Sequence, residues 1–177
     1  MSNVLTTAAQ PKTMAELAEY LRSECYQQSC YHIGTGWSHC GDTHCLEKTT
    51  SGYEAFYVER GQRSTTFFIE VDETVVCGKF LELLDRDPWS RAHCIAFTAQ
   101  LQDAERIEHE LSAVGVRSVR NDIPAHQGPG DSRFRLFVFG RDLLKVQQMV
   151  ASGQISLRQF AHFPLLVFFE GFEDFLL

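Results

Sequence analysis

The stretch Tyr53 to Asp87, YEAFYVERGQRSTTFFIEVDETVVCGKFLELLDRD, constrains the fold of this chain more than any other. Tyr53 to Val58 and Ser64 to Val71 are rich in β-branched and aromatic residues. Between them Glu59-Arg60-Gly61-Gln62 supplies a reversal in which Gly61 takes positive φ. An antiparallel hairpin is predicted. Asp72 follows as an N-cap, and Glu73 places a carboxylate in the first turn, where it complements the helix dipole. Val76, Phe80, Leu83 and Leu84 then form an apolar stripe that Pro88 ends. None of these residues forms a catalytic constellation.

The flanking segments extend the same pattern. Thr13 and Glu16 make a T-x-x-E capping box, opening a helix with Met14, Leu17, Leu21 and Cys25 along one face and an expected end near Cys30. Residues 1–12 read as a flexible leader, and Cys40 to Thr50 as holding a short strand before the turn at Ser51-Gly52. Further on, a strand is predicted at His93 to Ala99, a helix at Asp103 to Val114 closed by Gly115, and a strand at Val116 to Val119. A long loop from Asn121 to Asp131 precedes a strand at Arg133 to Phe139 and a helix from Asp142 to about Ala151. The expected class is α+β, in a single domain over residues 13–177, with a largely antiparallel sheet and helices packed mainly on one face.

The 177 residues carry a net charge of −7, placed unevenly: residues 1–90 hold 7 basic and 13 acidic side chains, residues 91–177 hold 9 and 10. Nucleic acid is a poor partner for such a chain, because phosphate binding needs a concentrated basic face and only Arg133, Arg135 and Arg141 approach one. A basic protein suits the sign. The first residues lack a basic region and an apolar core of signal type, and no run approaches the roughly 18 apolar residues that span a bilayer. A cytoplasmic protein without membrane contact is expected. The C-terminal run from Gln154 holds six of the fourteen phenylalanines and is interrupted by Pro164, which favours packing over anchoring.

Six cysteines in such a chain are better read as free thiols or metal ligands than as disulfides, with Cys77 and Cys94 as small buried hydrophobes. Cys25, Cys30, His32, His39, Cys40, Asp42, His44 and Cys45 form the one chemically provocative cluster. Two C-x4-C pairs can bring soft ligands to a zinc ion, but the usual spacing is C-x2-C, and Cys25 and Cys30 on a helix would point to different faces. A thiol nucleophile at Cys40 or Cys45 would need a base arriving in space, such as His93 or His126, rather than a sequence neighbour. Gly34-Thr35-Gly36 lacks the lysine and third glycine of nucleotide-binding loops. Turn chemistry accounts for it.

The blocks "Tyr-x-x-x-Tyr-Val-Glu-Arg-Gly-Gln-Arg", Asp72-Glu73 and "Phe-Leu-Glu-Leu-Leu-x-x-Asp-Pro" open the resemblance. "Asp-Ala-Glu-Arg-Ile-Glu-x-x-Leu-x-x-x-Gly-Val", "Asn-Asp-Ile-Pro" and "Arg-Phe-Arg-Leu-Phe-Val-Phe-Gly-Arg-Asp" continue it. From Tyr53 to Asp142 the chain thus resembles bacterial immunity proteins that accompany polymorphic toxins. The resemblance implies a protein without catalytic residues, metal or cofactor that binds a cognate toxin domain and occludes its active site. The contacts expected on that basis are Glu59 and Arg60 at the hairpin turn, Asp122 and His126 in the long loop, and Glu170, Glu173 and Asp174 in the tail. The alternative is a cysteine- or zinc-dependent enzyme, or a zinc-stabilised module, built on Cys25 to Cys45. A transcription-associated adaptor is less attractive without a basic patch.

Overall fold

The computed structural model describes residues 10–155. The tail contacts expected at Glu170, Glu173 and Asp174 lie outside them. The class is α+β: among the described residues there are four helices and seven strands, the strands divided between a four-stranded and a three-stranded sheet. The chain forms two compact units, meeting in sequence at Arg91 and Ala92, each with its own sheet, helices and core.

In the first unit the sheet runs β1-β2-β3-β4, formed by Tyr31–Ile33, Thr43–Thr49, Gly52–Glu59 and Gln62–Glu70. β1 pairs parallel with β2, and the remaining pairs are antiparallel. The predicted hairpin is β3 and β4, joined by Arg60 at φ 51° and Gly61 at φ 75°, the pair of left-handed residues a tight hairpin turn requires. Helix α1 (Met14–Ser23) and helix α2 (Glu73–Asp85) share one face of this sheet. Leu17 and Leu21 of α1 join Val76, Cys77, Phe80 and Leu84 of α2 over Leu46, Tyr53 and Ala55. Leu83, expected in the stripe, is only half-buried, and Cys77 takes the fully buried place beside Val76. Trp37, Cys45, Phe56 and Val58 pack together on the opposite face of the sheet.

Glu73 does more than complement the dipole of α2. Its carboxylate accepts a hydrogen bond from the Met14 backbone N–H at 2.8 Å and another from the Tyr53 hydroxyl at 2.8 Å. The start of α1, the start of α2 and strand β3 therefore meet on one side chain. Thr74 adds a hydroxyl bond to the Lys12 carbonyl at 3.3 Å. Thr13 caps α1 through the Glu16 N–H at 3.2 Å, while the Glu16 carboxylate reaches past the cap to the Lys12 N–H at 2.7 Å.

Helix α1 ends seven residues before the expected point. Tyr26 N–H bonds to Leu21 O at 2.8 Å and Cys25 N–H to Arg22 O at 3.0 Å, with Cys25 itself left-handed at φ 55°. These are the two reverse bonds of a Schellman stop, with cysteine in the position that glycine usually fills. The stop carries no glycine signal, so helical periodicity alone runs through it. Cys25 and Cys30 consequently do not share a helix, and the chain is released to form β1.

The second unit is a β-α-β-β-α unit, as expected. Strand β5 (Ala92–Thr98), helix α3 (Leu101–Ala113), strands β6 (Val119–Ile123) and β7 (Arg133–Phe139) and helix α4 (Asp142–Ala151) build an antiparallel sheet ordered β5-β7-β6. Ala104, Ile107 and Leu111 of α3 and Leu143, Val146 and Met149 of α4 cover Leu136 and Val138, alternate residues of β7, so both helices lie on one face. The strand expected at Val116 to Val119 starts instead at Val119. Val116 closes the Schellman bonds of α3, its N–H on Leu111 O at 2.9 Å, and its side chain is buried in the core. Asn121 and Asp122, read as the start of a loop, are therefore ladder residues of β6. Cys94 is half-buried rather than buried, its thiol donating to Ala96 O at 3.4 Å.

Gly52 has φ 138°, and a Cβ there would stand 2.4 Å from the Glu70 carbonyl oxygen. Gly52→Ala should cost at least ~2 kcal/mol, combining an unfavourable backbone region with a clash against the neighbouring strand. Urea unfolding followed by tryptophan fluorescence reads this directly, since Trp37 and Trp89 both belong to the first unit. Glu73 supplies a second test. Its two hydrogen bonds, the one from Met14 N–H first, hold its pKa below the ordinary 4.5. The stability it adds is full above about 4.5 and lost as pH falls through the lower folded value. Glu73→Gln should therefore unfold at lower urea than the parent at neutral pH, with the gap closing across that acid window.

Candidate functional site

The cysteine and histidine segment is dispersed by the early end of α1. Cys25 lies beyond the helix, Cys30 ends a short 3-10 turn with its thiol on Gln27 Oε1 at 3.6 Å, and His32 Nε2 lies 2.9 Å from Thr35 O. Cys45 is fully buried beside Cys40, Phe56 and Val58. Among the described residues no three His, Cys, Asp or Glu side chains are placed to hold a metal ion. Burial, with the Cys40 sulfur beside it adding to the effect, pushes the Cys45 thiol up to about 12, and burial likewise raises Cys30. Both shifts disfavour the thiolate that nucleophilic chemistry needs. A shallow cleft of about 320 Å³ lies along this segment, lined by Gln28, Cys30, His32, Cys40, Asp42 and Thr43.

The same strands build a second arrangement. The β2–β3 register sets His44 opposite Tyr57, and their rings meet edge to face with centroids 5.2 Å apart. Phe67 of β4 stacks on His44 at 5.5 Å with 28° between planes, and it is 39% exposed. A bulge places Phe67 there. Ala55 pairs with Phe68 and Phe56 with Thr66, so β4 carries one extra residue between them. Phe68 can then pack against the core under the helices while Phe67 remains on the same side, over His44. A second shift between Phe56 and Val58 gives β4 another extra residue, and such bulges blunt an edge strand against pairing with other chains.

Beyond His44 and Tyr57, toward the hairpin turn, stand Asp42, just before β2, and Glu59, the last residue of β3, and the charges of both act on the Tyr57 hydroxyl. Asp42 Oδ1 accepts the Arg60 N–H at 3.4 Å, which ties it to the hairpin turn. Burial raises the Tyr57 hydroxyl pKa, and the Asp42 and Glu59 charges raise it further. Burial lowers the His44 pKa, partly offset by its hydrogen bond to the Cys30 backbone, so the imidazole favours its neutral form. Both carboxylates are exposed, and among the described residues neither has an ion-pair partner.

The expected contacts thus separate. Glu59 and Arg60 are exposed at the tip of the first unit's hairpin. Asp122 and His126 belong to the second unit and are both exposed; His126 lies in the long loop as expected, whereas Asp122 falls on the strand before it. Asp122 is on β6, ion-paired with Arg120 at 3.1 Å, and the His126 ring packs against Phe97 at 5.4 Å. His44, Tyr57 and Phe67 were not singled out as contacts from sequence. Alternation places His44 and Tyr57 on one face, but only the pairing register and the bulge bring Phe67 to them. The chain matches no protein-family model, no curated protein and no solved structure.

Cys45 and Cys77 are fully buried, with pKa values pushed up to about 12 and about 11. Maleimide labelling at neutral pH followed by mass spectrometry should leave these two unmodified in the folded protein and modify all six cysteines after denaturation. Labelling of Cys45 in the folded state, at a rate like that of Cys40, would contradict the packing described.

Proposed function

We propose that this chain is a binding protein of the immunity type, which seats on a basic toxin domain and blocks its active site. The observation that carries the reading is the state of the carboxylates in the first unit, the part of the chain that holds most of the negative charge. Glu54, Glu70 and Asp85 are neutralised by Arg63, Lys79 and Arg91. Asp42 and Glu59 are left exposed and uncompensated at the hairpin end, one of them a residue that the resemblance to immunity proteins nominates. Uncompensated carboxylates beside an exposed aromatic surface suit a partner of opposite charge, with the charge steering encounter and the rings providing buried contact area.

The test is co-expression with a toxin encoded directly upstream whose C-terminal domain is basic. The chain should restore growth and co-purify with that domain, and absence of both protection and complex rejects the reading. In the purified pair, raising salt from roughly 50 to 500 mM should slow association about tenfold while changing dissociation much less, as charge-steered encounters do. Stopped-flow measurement separates the two rates.

A further inference from the structure

The first unit repeats one device three times. Arg63 lies over the Phe56 ring at 4.0 Å and pairs with Glu54. Lys79 lies over Phe68 at 5.9 Å and pairs with Glu70, and Arg91 lies over Tyr26 at 4.2 Å and pairs with Asp85 at 2.9 Å. Each is an aromatic face, a cation and a carboxylate, in which the ring quadrupole and the acid hold the same positive group from two sides. The His44, Tyr57 and Phe67 shelf with Asp42 and Glu59 has the rings and the acids. Among the described residues no cation lies over any of its three rings. Arg60, although next in sequence to Glu59, forms no ion pair among the described residues, and its backbone N–H is what reaches Asp42.

Two like charges at one end of the shelf, Asp42 bonded to the Arg60 N–H and Glu59 next to it in sequence, repel, and an arriving cation relieves that repulsion while gaining the π faces beside it. We propose that the shelf formed by His44, Tyr57 and Phe67, flanked by Asp42 and Glu59, is the seat of an arginine side chain presented by a protein partner. A guanidinium suits it better than an ammonium: it is planar, stacks on aromatic rings and forks its donors toward two carboxylates at once. The inference rests on the binding-protein reading and names the chemistry by which that partner is held.

The probe is the peptide acetyl-Gly-Arg-Gly-amide, titrated into the full chain while the ring resonances of His44 and Tyr57 are followed by NMR. Its counterpart with citrulline, which keeps the shape and loses the charge, is the control. Saturable shifts of both rings with the arginine peptide are expected, at least about fivefold weaker with citrulline, and about fivefold weaker in Asp42→Asn/Glu59→Gln. That double variant changes two exposed residues and keeps the test open if Tyr57→Leu does not fold. Absence of shifts, equal response to citrulline, or undiminished binding by the double variant overturns the assignment. If a toxin partner is bound as tightly by the double variant as by the parent, the arginine seat falls and the immunity reading stands. If the parent binds no such partner, the immunity reading falls, and the peptide titration still decides the seat.

Discussion

The first unit depends on the Glu73 carboxylate. It accepts the Met14 N–H, one of the free donors at the start of α1, and the hydroxyl of Tyr53 on β3, while lying in the first turn of α2. Three elements distant in sequence are thereby fixed at a common point, and charge-assisted bonds of this kind are about twice as strong as neutral ones. With both helix starts pinned, Leu17 and Leu21 are held over the sheet opposite Phe80 and Leu84, and the apolar core closes. The other end is held by a second polar group, in which the Tyr26 hydroxyl donates to Asp85 at 2.5 Å and Arg91 lies over the same ring. Polar bonds set the register of the two helices, and apolar burial supplies most of the free energy.

Bulges set what the sheet of this unit leaves exposed. β4 is an edge strand, and a regular β4 would place Phe67 and Phe68 on opposite faces. The extra residue puts both on the side of the helices, where Phe68 enters the core and Phe67 extends an aromatic row over His44. The same irregularity spoils the edge as a template for another strand. The second unit carries a comparable device, a shift in β5 between Cys94 and Ala96 that leaves Ile95 and Ala96 both buried.

The proposed function draws on this geometry through charge. Glu19, Glu54, Glu70 and Asp85 of the first unit are ion-paired, whereas among the described residues Asp42 and Glu59 are not. Asp42 and Glu59 stand where two strands end, beside rings that the helices do not cover. A thiol or metal chemistry at Cys25 to Cys45 finds less support: the raised thiol pKa values oppose a nucleophile, and among the described residues no three ligand-type side chains are placed to hold a metal ion.

Much of the fold is legible in the residues themselves. The hairpin with its Arg60-Gly61 turn, the Asp72 cap, the βαββα order of the second unit and the Gly115 stop follow from local chemistry, because each is decided by neighbours within a few positions. The exposure of Glu59 at the hairpin turn could be read for the same reason. The stop at Cys25 was hidden because a cysteine holds the left-handed position, and β1 was hidden behind it. The start of β6 was hidden because Asn121 and Asp122 look like turn residues and take their strand geometry from pairing with β7. Sequence alone determined the α+β class, the placing of negative charge and the helical and strand periodicities, all local or additive properties. Only tertiary structure decided that Glu73 joins three elements and that Phe67 meets His44 across a bulge. It also left Asp42 and Glu59 without a cation among the described residues, because partners far apart in the chain are chosen by register and packing.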